Sequence, residues 1–196
     1  MYLGGVDGGT VATDDAYMAA YSFQIDLSTS FTGEDSLDIA IDAGNSGNAG
    51  TVEFDGNANG DTLQVDGISY TFPVGTSITA FVGDNVDGSL LFNTACVYGG
   101  PSNTLDDCGN NYSSINAGGG TAFGASYDQG NGFTYAIGLT TEGSNADGIF
   151  TAEGDDAYAA QIAYAGNQYG VSFTYADKEN PTFTRAVTDT KVWALN

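Results

Sequence analysis

The sequence predicts an all-β protein, an up-and-down antiparallel meander of about nine strands that forms a β-barrel in whole or in part. Three observations lead there. Apolar and polar side chains alternate over many segments, as in YSFQIDLSTSFTGEDSLDIAID at 21 to 42. Twenty-nine glycines, twelve tyrosines and eleven phenylalanines among 196 residues, with few Lys, Leu or Glu, favour strands and turns over helices. Short and long connections then follow one another in strict alternation.

The first strand, about 16 to 28, sets Tyr17, Ala19, Tyr21, Phe23, Ile25 and Leu27 against Met18, Ala20, Ser22, Gln24, Asp26 and Ser28. The second, 37 to 43, sets Leu37, Ile39 and Ile41 against Asp38, Ala40 and Asp42. GISYTF carries Ile68, Tyr70 and Phe72 on one face, while in SITAFVGD the alternation is blurred by Phe81. A Gly-rich fifth strand is expected near 121 to 127. FTYAIGLT follows, with Phe133, Tyr135, Ile137 and Leu139 opposite Thr134, Ala136, Gly138 and Thr140. AYAAQIAYA aligns Tyr158, Ala160, Ile162 and Tyr164, GVSFTYAD aligns Val171, Phe173 and Tyr175, and TDTKVWALN places Trp193 and Leu195 together.

FTGEDS, PVGTS, DQGNG and AGNQ are tight turns, whereas 44 to 62, 85 to 120, 142 to 156 and 178 to 187 are long polar loops. In an antiparallel meander that order puts every short turn at one end and every long loop at the other, which is the layout of an outer-membrane barrel. The face bearing Gln24, Asp26, Asp38, Asp42 and Gln161 with Ser, Thr and Ala cannot be dry without unpaired charge, so it meets water. The Tyr, Phe, Ile and Leu face meets either lipid, as in a barrel, or a second sheet, as in a sandwich. Alternation alone fits both; the turn and loop order favours the barrel.

Charge narrows the function. Asp and Glu number 25 against three basic residues, and Lys178, Arg185 and Lys191 all come late. That excludes nucleic-acid binding, which needs Lys and Arg to release counterions, and it disfavours an anionic membrane surface. Without histidine the usual general base and the common triads are missing. The neighbouring acids Glu34/Asp35, Asp106/Asp107 and Asp155/Asp156 sit among Gly, Asn and Ser and read as solvated loop charge. A glycosidase would need two acids about 5 to 10 Å apart in a cleft, and nothing in the sequence places such a pair. The chain is therefore not expected to be an enzyme.

No apolar run reaches the roughly 18 residues of a membrane helix, and MYLGGVDGGT lacks the regions of a signal peptide. An exported protein would then be a processed or excised piece. Cys96 and Cys108 lie in NTACVYGGPSNTLDDCGNN. Paired, they would staple a loop by about 3 kcal/mol and favour an oxidising compartment; two free thiols are the other reading. Residues 55 to 66, DGNANGDTLQVD, carry oxygen donors at the spacing of a calcium loop: Asp55, Asn57, Asn59, Asp61 and Asp66, with Gly60 at the turn. Strands rather than helices flank it and Asp replaces the bidentate Glu, so an Asn/Gly-rich external loop is the plainer reading. Calcium is the one cofactor the sequence raises.

YSFQIDLSTSFTGEDSLDIAIDAGN resembles the early strand, turn and strand of cyanobacterial outer-membrane porins, which carry a "DTSFTGKD" turn followed by "L...AGN". GISYTFPVGTSITAFVGD and NTACVYGGPSNTLDDCG are similar to the next hairpin and external loop of marine members. The resemblance covers about residues 15 to 140 and weakly the rest. It implies a carbohydrate-selective porin family whose members join a signal peptide, an S-layer-homology domain on peptidoglycan and a coiled coil to a trimeric barrel of about sixteen strands. Residues 1–196 correspond to the barrel region alone. About nine strands is an odd count, and the last residue, Asn196, stands where such barrels end on an aromatic, so half a barrel is one expectation and a piece with another role is the other.

What the resemblance implies is a homotrimer in outer-membrane lipid, long loops outside the cell, passing ions and small solutes. Glu34 stands where the family turn commonly has Lys, and a lumen lined by Gln24, Asp26, Asp38, Asp42 and Gln161 would favour cations. Loop 85 to 120 could fold inward, with Asp106 and Asp107 narrowing the passage. The alternative from another class is a secreted acidic β-sandwich or cell-surface assembly subunit that binds calcium.

Overall fold

The computed structural model describes residues 2–4, 18–45, 48–49, 52–53, 61–93, 120–141, 156–178 and 190–195. Among them all regular structure is β. Nine strands form one antiparallel meander: β3 (Ser22–Thr29), β4 (Ser36–Gly44), β7 (Gln64–Val74), β8 (Ile78–Asp84), β9 (Thr121–Asp128), β10 (Phe133–Thr141), β11 (Asp156–Ala165), β12 (Gly170–Lys178) and β13 (Thr190–Leu195). Their order across the sheet is their order along the chain, and the sheet is open, with β3 and β13 at its ends. Two small ribbons stand apart, β1 (Tyr2–Gly4) with β2 (Met18–Ala20) and β5 (Asn48–Ala49) with β6 (Val52–Glu53).

The chain divides into two compact units, one of Met1–Leu27, Ile39–Asp66 and Cys96–Asp107, the other of Ser28–Asp38, Gly67–Ala95 and Cys108–Asn196. In the first, the strand expected over 16 to 28 breaks at Tyr21. There the Asn45 side chain accepts from the Tyr21 N–H at 2.9 Å while the Asn45 N–H donates to the Tyr21 carbonyl at 3.1 Å, between β2, which pairs with β1, and β3 of the nine-stranded sheet.

The second unit holds the run from Gly67 of β7 to β13, each strand paired with the next in the chain. Its short turns gather at one edge. The Asp128 N–H donates to the Ser77 carbonyl and the Ala165 N–H to the Gly132 carbonyl, tying each turn to the neighbouring strand end. Gly75, Gly130 and Gly132 have φ between 75° and 92°, a region that residues with a Cβ seldom adopt.

The turn between β3 and β4 is organised by one carboxylate. Asp35 Oδ1 accepts from Ser30 Oγ at 2.6 Å, Thr32 Oγ1 at 2.7 Å and the N–H groups of Thr32 and Phe31 at 2.8 and 3.0 Å. Its Oδ2 accepts from the Tyr70 hydroxyl at 2.6 Å, so the turn is anchored to β7. Gly33, with φ 88°, completes the bend. These bonds, that from Ser30 first, hold the Asp35 carboxyl far below the usual carboxylate range.

Candidate functional site

Strands β7 to β13 present two unlike faces, and the site is built on the contrast. Cross-strand register lines up Val74, Ile78, Tyr127, Tyr135, Ile162, Phe173 and Leu195 in one row over seven strands. Every member of the row is 39 to 71% exposed. The next row contains Ile137 and Trp193, at 62 and 65%. Rings cluster beside the short turns: Phe133 on Tyr164 at 4.9 Å, Tyr164 on Tyr169 at 5.8 Å, and Phe31 against Tyr70 at 6.1 Å.

The opposite face is small, polar and covered. Ala122, Ala136, Thr140, Ala157, Ala159, Gln161, Ala163, Ser172, Thr174, Ala176 and Ala194 are all buried. This reverses the arrangement of a water-soluble sheet, whose large apolar residues are the ones removed from water. Phe81 departs from this arrangement. It is 2% exposed on the small-residue face, and its ring occupies the space over Gly124, where an added Cβ would lie 2.7 Å from Phe81 Cε1.

Part of the cover is the segment that follows β8. Residues Asp87 to Asn93 make two successive turns, with Leu90 N–H donating to the Asp87 carbonyl and Phe92 N–H to that of Ser89. The segment reaches β10 where the Gly88 N–H donates to Thr140 Oγ1 at 2.6 Å. A Cβ on Gly138 would fall 1.8 Å from the Gly88 carbonyl oxygen, so backbone lies on backbone there. On β11, Gln161 clamps Asn93 in both directions: its Oε1 accepts from the Asn93 N–H at 2.8 Å and its Nε2 donates to the Asn93 carbonyl at 3.1 Å. Gln161 Nε2 also donates to Thr174 Oγ1 on β12 at 3.0 Å. Between these anchors the buried Phe92 ring packs with Ala136, Ala157, Ala159 and Ala176, against Val192 of β13. Burial of that ring contributes about 1.5–3 kcal/mol.

Asp87 opens the segment. Its Oδ1 accepts from the Ser89 N–H at 2.7 Å, whereas Oδ2 is shielded from solvent and has no hydrogen-bond partner among the described residues. Burial raises its pKa, and the Ser89 bonds and the charge of Lys178 partly oppose that shift.

The other residues singled out by sequence fall in different surroundings. Gln24 and Asp26 are exposed on β3, where Gln24 Nε2 donates to Asp26 Oδ1 at 2.9 Å. On β4, Asp38 is half-buried and accepts from Ser36 Oγ at 2.8 Å, and Asp42 is buried. Gln161 is buried, bonded to Asn93 of the segment after β8 and to Thr174. Asp106 and Asp107 lie outside the described residues, as do Cys96 and Cys108 and the calcium-loop positions Asp55, Asn57 and Asn59. Asp61, with φ 69°, accepts from the Tyr21 hydroxyl at 2.5 Å, and Asp66 is half-buried. No group of three or more His, Cys, Asp or Glu that could hold a metal ion occurs among the described residues. No described helix is long and apolar enough to cross a membrane, which has no bearing on crossing by strands.

Sequence reasoning did not find Asp87, Gly88, Phe92, Asn93, Thr140 or Thr174. The run of small residues at Ala136, Gly138 and Thr140, opposite large ones, was the available signal for a close approach from that side. Comparison with protein-family models, curated proteins and solved structures finds no match to this chain.

Proposed function

We propose that this chain is the barrel region of an outer-membrane porin that lets ions and small hydrophilic solutes cross by passive diffusion, with a preference for cations. The observation that carries the reading is the inversion of faces over β7 to β13, with large apolar side chains outward and Ala, Gly, Ser, Thr and Gln covered. Lipid is the solvent in which an exposed row such as Val74 to Leu195 lowers rather than raises the free energy. Strands β10, β11 and β12 run 9, 10 and 9 residues, the length that crosses a bilayer when tilted. The aromatic clusters beside the short turns fit one interfacial girdle.

The net charge of −22 supports the cation preference, because acids lining a wet passage raise the local cation concentration. The resemblance of the Phe31–Ser36 turn adds a homotrimer in outer-membrane lipid, with the long loops outside the cell. In this reading the chain passes solutes and catalyses nothing.

Planar-bilayer conductance of the refolded chain under a salt gradient, beside a longer version of the barrel, tests the proposal. Steady channels with a reversal potential of cation-selective sign are expected. Failure of both chains to conduct, together with a water-soluble monomer that calcium stabilises, would favour the secreted sandwich instead.

A further inference from the structure

We propose that the outward face of β11 to β13, at the end from which the long loops leave, binds the uncharged sugar headgroup of a glycolipid through Tyr158, Lys191 and Trp193. The inference rests on the porin reading, which sets this face in lipid and this end at the outer surface, and it adds a ligand for one patch of that face. Tyr158, Asp177 and Lys191 are register partners across three strands, and Tyr175 is the partner of Trp193 in the row beside them. The patch lies where β11 begins and β12 ends.

Asp177 organises the patch. It is buried, and its Oδ2 accepts from the Tyr158 and Tyr175 hydroxyls, each at 3.1 Å, with Lys191 Nζ 3.6 Å away. The Lys191 side chain is 60% exposed, so the carboxylate fixes an ammonium that still has donors to offer. Tyr158, exposed, keeps lone pairs on its oxygen as acceptors. The Trp193 ring leans on Tyr175 at 4.4 Å and is exposed, and its electron-rich face suits the C–H face of a pyranose. Charge decides between headgroups. Lys191 is matched by Asp177 in a chain of net charge −22, so a phosphate would meet a neutralised cation and the repulsion of the whole chain. An uncharged sugar supplies donors and acceptors together, as the patch does. Four residues further along the strands, roughly 13 Å at about 3.3 Å per residue, the exposed row of Ile162, Phe173 and Leu195 offers the acyl chain its path.

The test uses the intact chain refolded into phosphatidylcholine vesicles, where the sole tryptophan reports from the patch itself. Glucosyl diacylglycerol, phosphatidylcholine and phosphatidylglycerol, each brominated on its acyl chains, are added in turn at one low mole fraction. Quenching of Trp193 by the glycolipid is expected to exceed that by phosphatidylcholine about threefold or more, the enrichment that one net hydrogen bond supports. Lys191→Met removes the donors and should bring that ratio down to about one, with quenching by phosphatidylcholine unchanged. Asp177→Asn leaves the ammonium unmatched, so preference should pass to phosphatidylglycerol. Val171→Ala, on the same face near the short turns, is the control, and far-ultraviolet circular dichroism verifies the β content of each protein.

Equal quenching by the three lipids in the parent, or the parent's ratio retained in folded Lys191→Met, would overturn this inference and leave the porin reading intact. A parent that prefers phosphatidylglycerol would overturn it in favour of an anion site. Channels that conduct while no lipid quenches Trp193 would mean that a second copy covers the patch, which also overturns it. A chain that neither conducts nor is quenched would overturn the porin reading itself. Should Asp177→Asn fail to fold, Lys191→Met decides alone, since that side chain is exposed and the replacement is of similar length.

Discussion

Asp35 shows how one residue converts a local sequence into a turn and joins that turn to the next strand. Within Ser30 to Asp35 the carboxylate collects the donors that a chain reversal leaves unpaired, and Tyr70 reaches it from β7. Its pKa is lowered on folding, so the stability it contributes is fully present above the unfolded carboxylate value of about 3.9 and is lost as pH falls through the lower folded value. Asp35→Asn should therefore lower the urea midpoint at pH 7, by an amount that shrinks progressively below about pH 4. Glu34→Gln, in the same turn but exposed, should leave the midpoint within error of the parent across that range. Equal midpoints for Asp35→Asn and parent at pH 7 would refute the hub role. The turn was legible in sequence as FTGEDS, yet the role of Tyr70 was not, because a partner 35 residues away is fixed by sheet register rather than by local pattern.

At the level of the strands, the nine expected segments match the nine of the sheet because a period of two, written in Ile, Tyr and Phe against Ala, Ser and Thr, leaves little choice of register. The two additions to that reading have physical causes. Phe81 blurred the alternation because Gly124 on the adjacent strand leaves a hollow for its ring, and a hollow on one strand is invisible in the sequence of another. The segment Asp87 to Asn93 reads as part of a polar loop in sequence because its anchors, Thr140 for Gly88 and Gln161 for Asn93, lie 52 and 68 residues downstream. Alternation also left open which solvent the apolar face meets, and Ile137, near the middle of β10 and 62% exposed, is the place to ask. Ile137→Lys should destabilise the protein folded in lipid vesicles by about 2–4 kcal/mol, the cost of a cation near the bilayer midplane. On a surface facing water the same change should stay within about 0.5 kcal/mol. Urea titrations in vesicles of matched thickness separate these values, and the smaller one would count against lipid contact.

For the molecule as a whole, topology and charge set conditions that any function must meet. Nine antiparallel strands leave β3 and β13 pointing the same way, so an all-antiparallel closed ring requires an odd number of further strands between them. In lipid those two edges cannot remain unpaired, since each exposed backbone group would cost several kcal/mol. The excess of acids over bases predicts that the reversal potential under a salt gradient loses its cation-selective sign once pH falls below the carboxylate range, as the charges that concentrate cations are neutralised. The sole tryptophan offers an independent check that needs no conduction. Trp193 lies on β13, 65% exposed, with its ring tilted against Tyr175 at 4.4 Å and Phe173 at 5.6 Å. If the apolar face meets lipid, insertion into vesicles should shift Trp193 emission to the blue, and bromines on the acyl chains should quench it. If that face were covered by a second sheet of the same protein, emission would be blue in aqueous buffer already and brominated lipid would leave it unchanged. Because the indole shares its row with Ile137, quenching that deepens as bromine is moved along the acyl chain also measures the depth of that row in the bilayer.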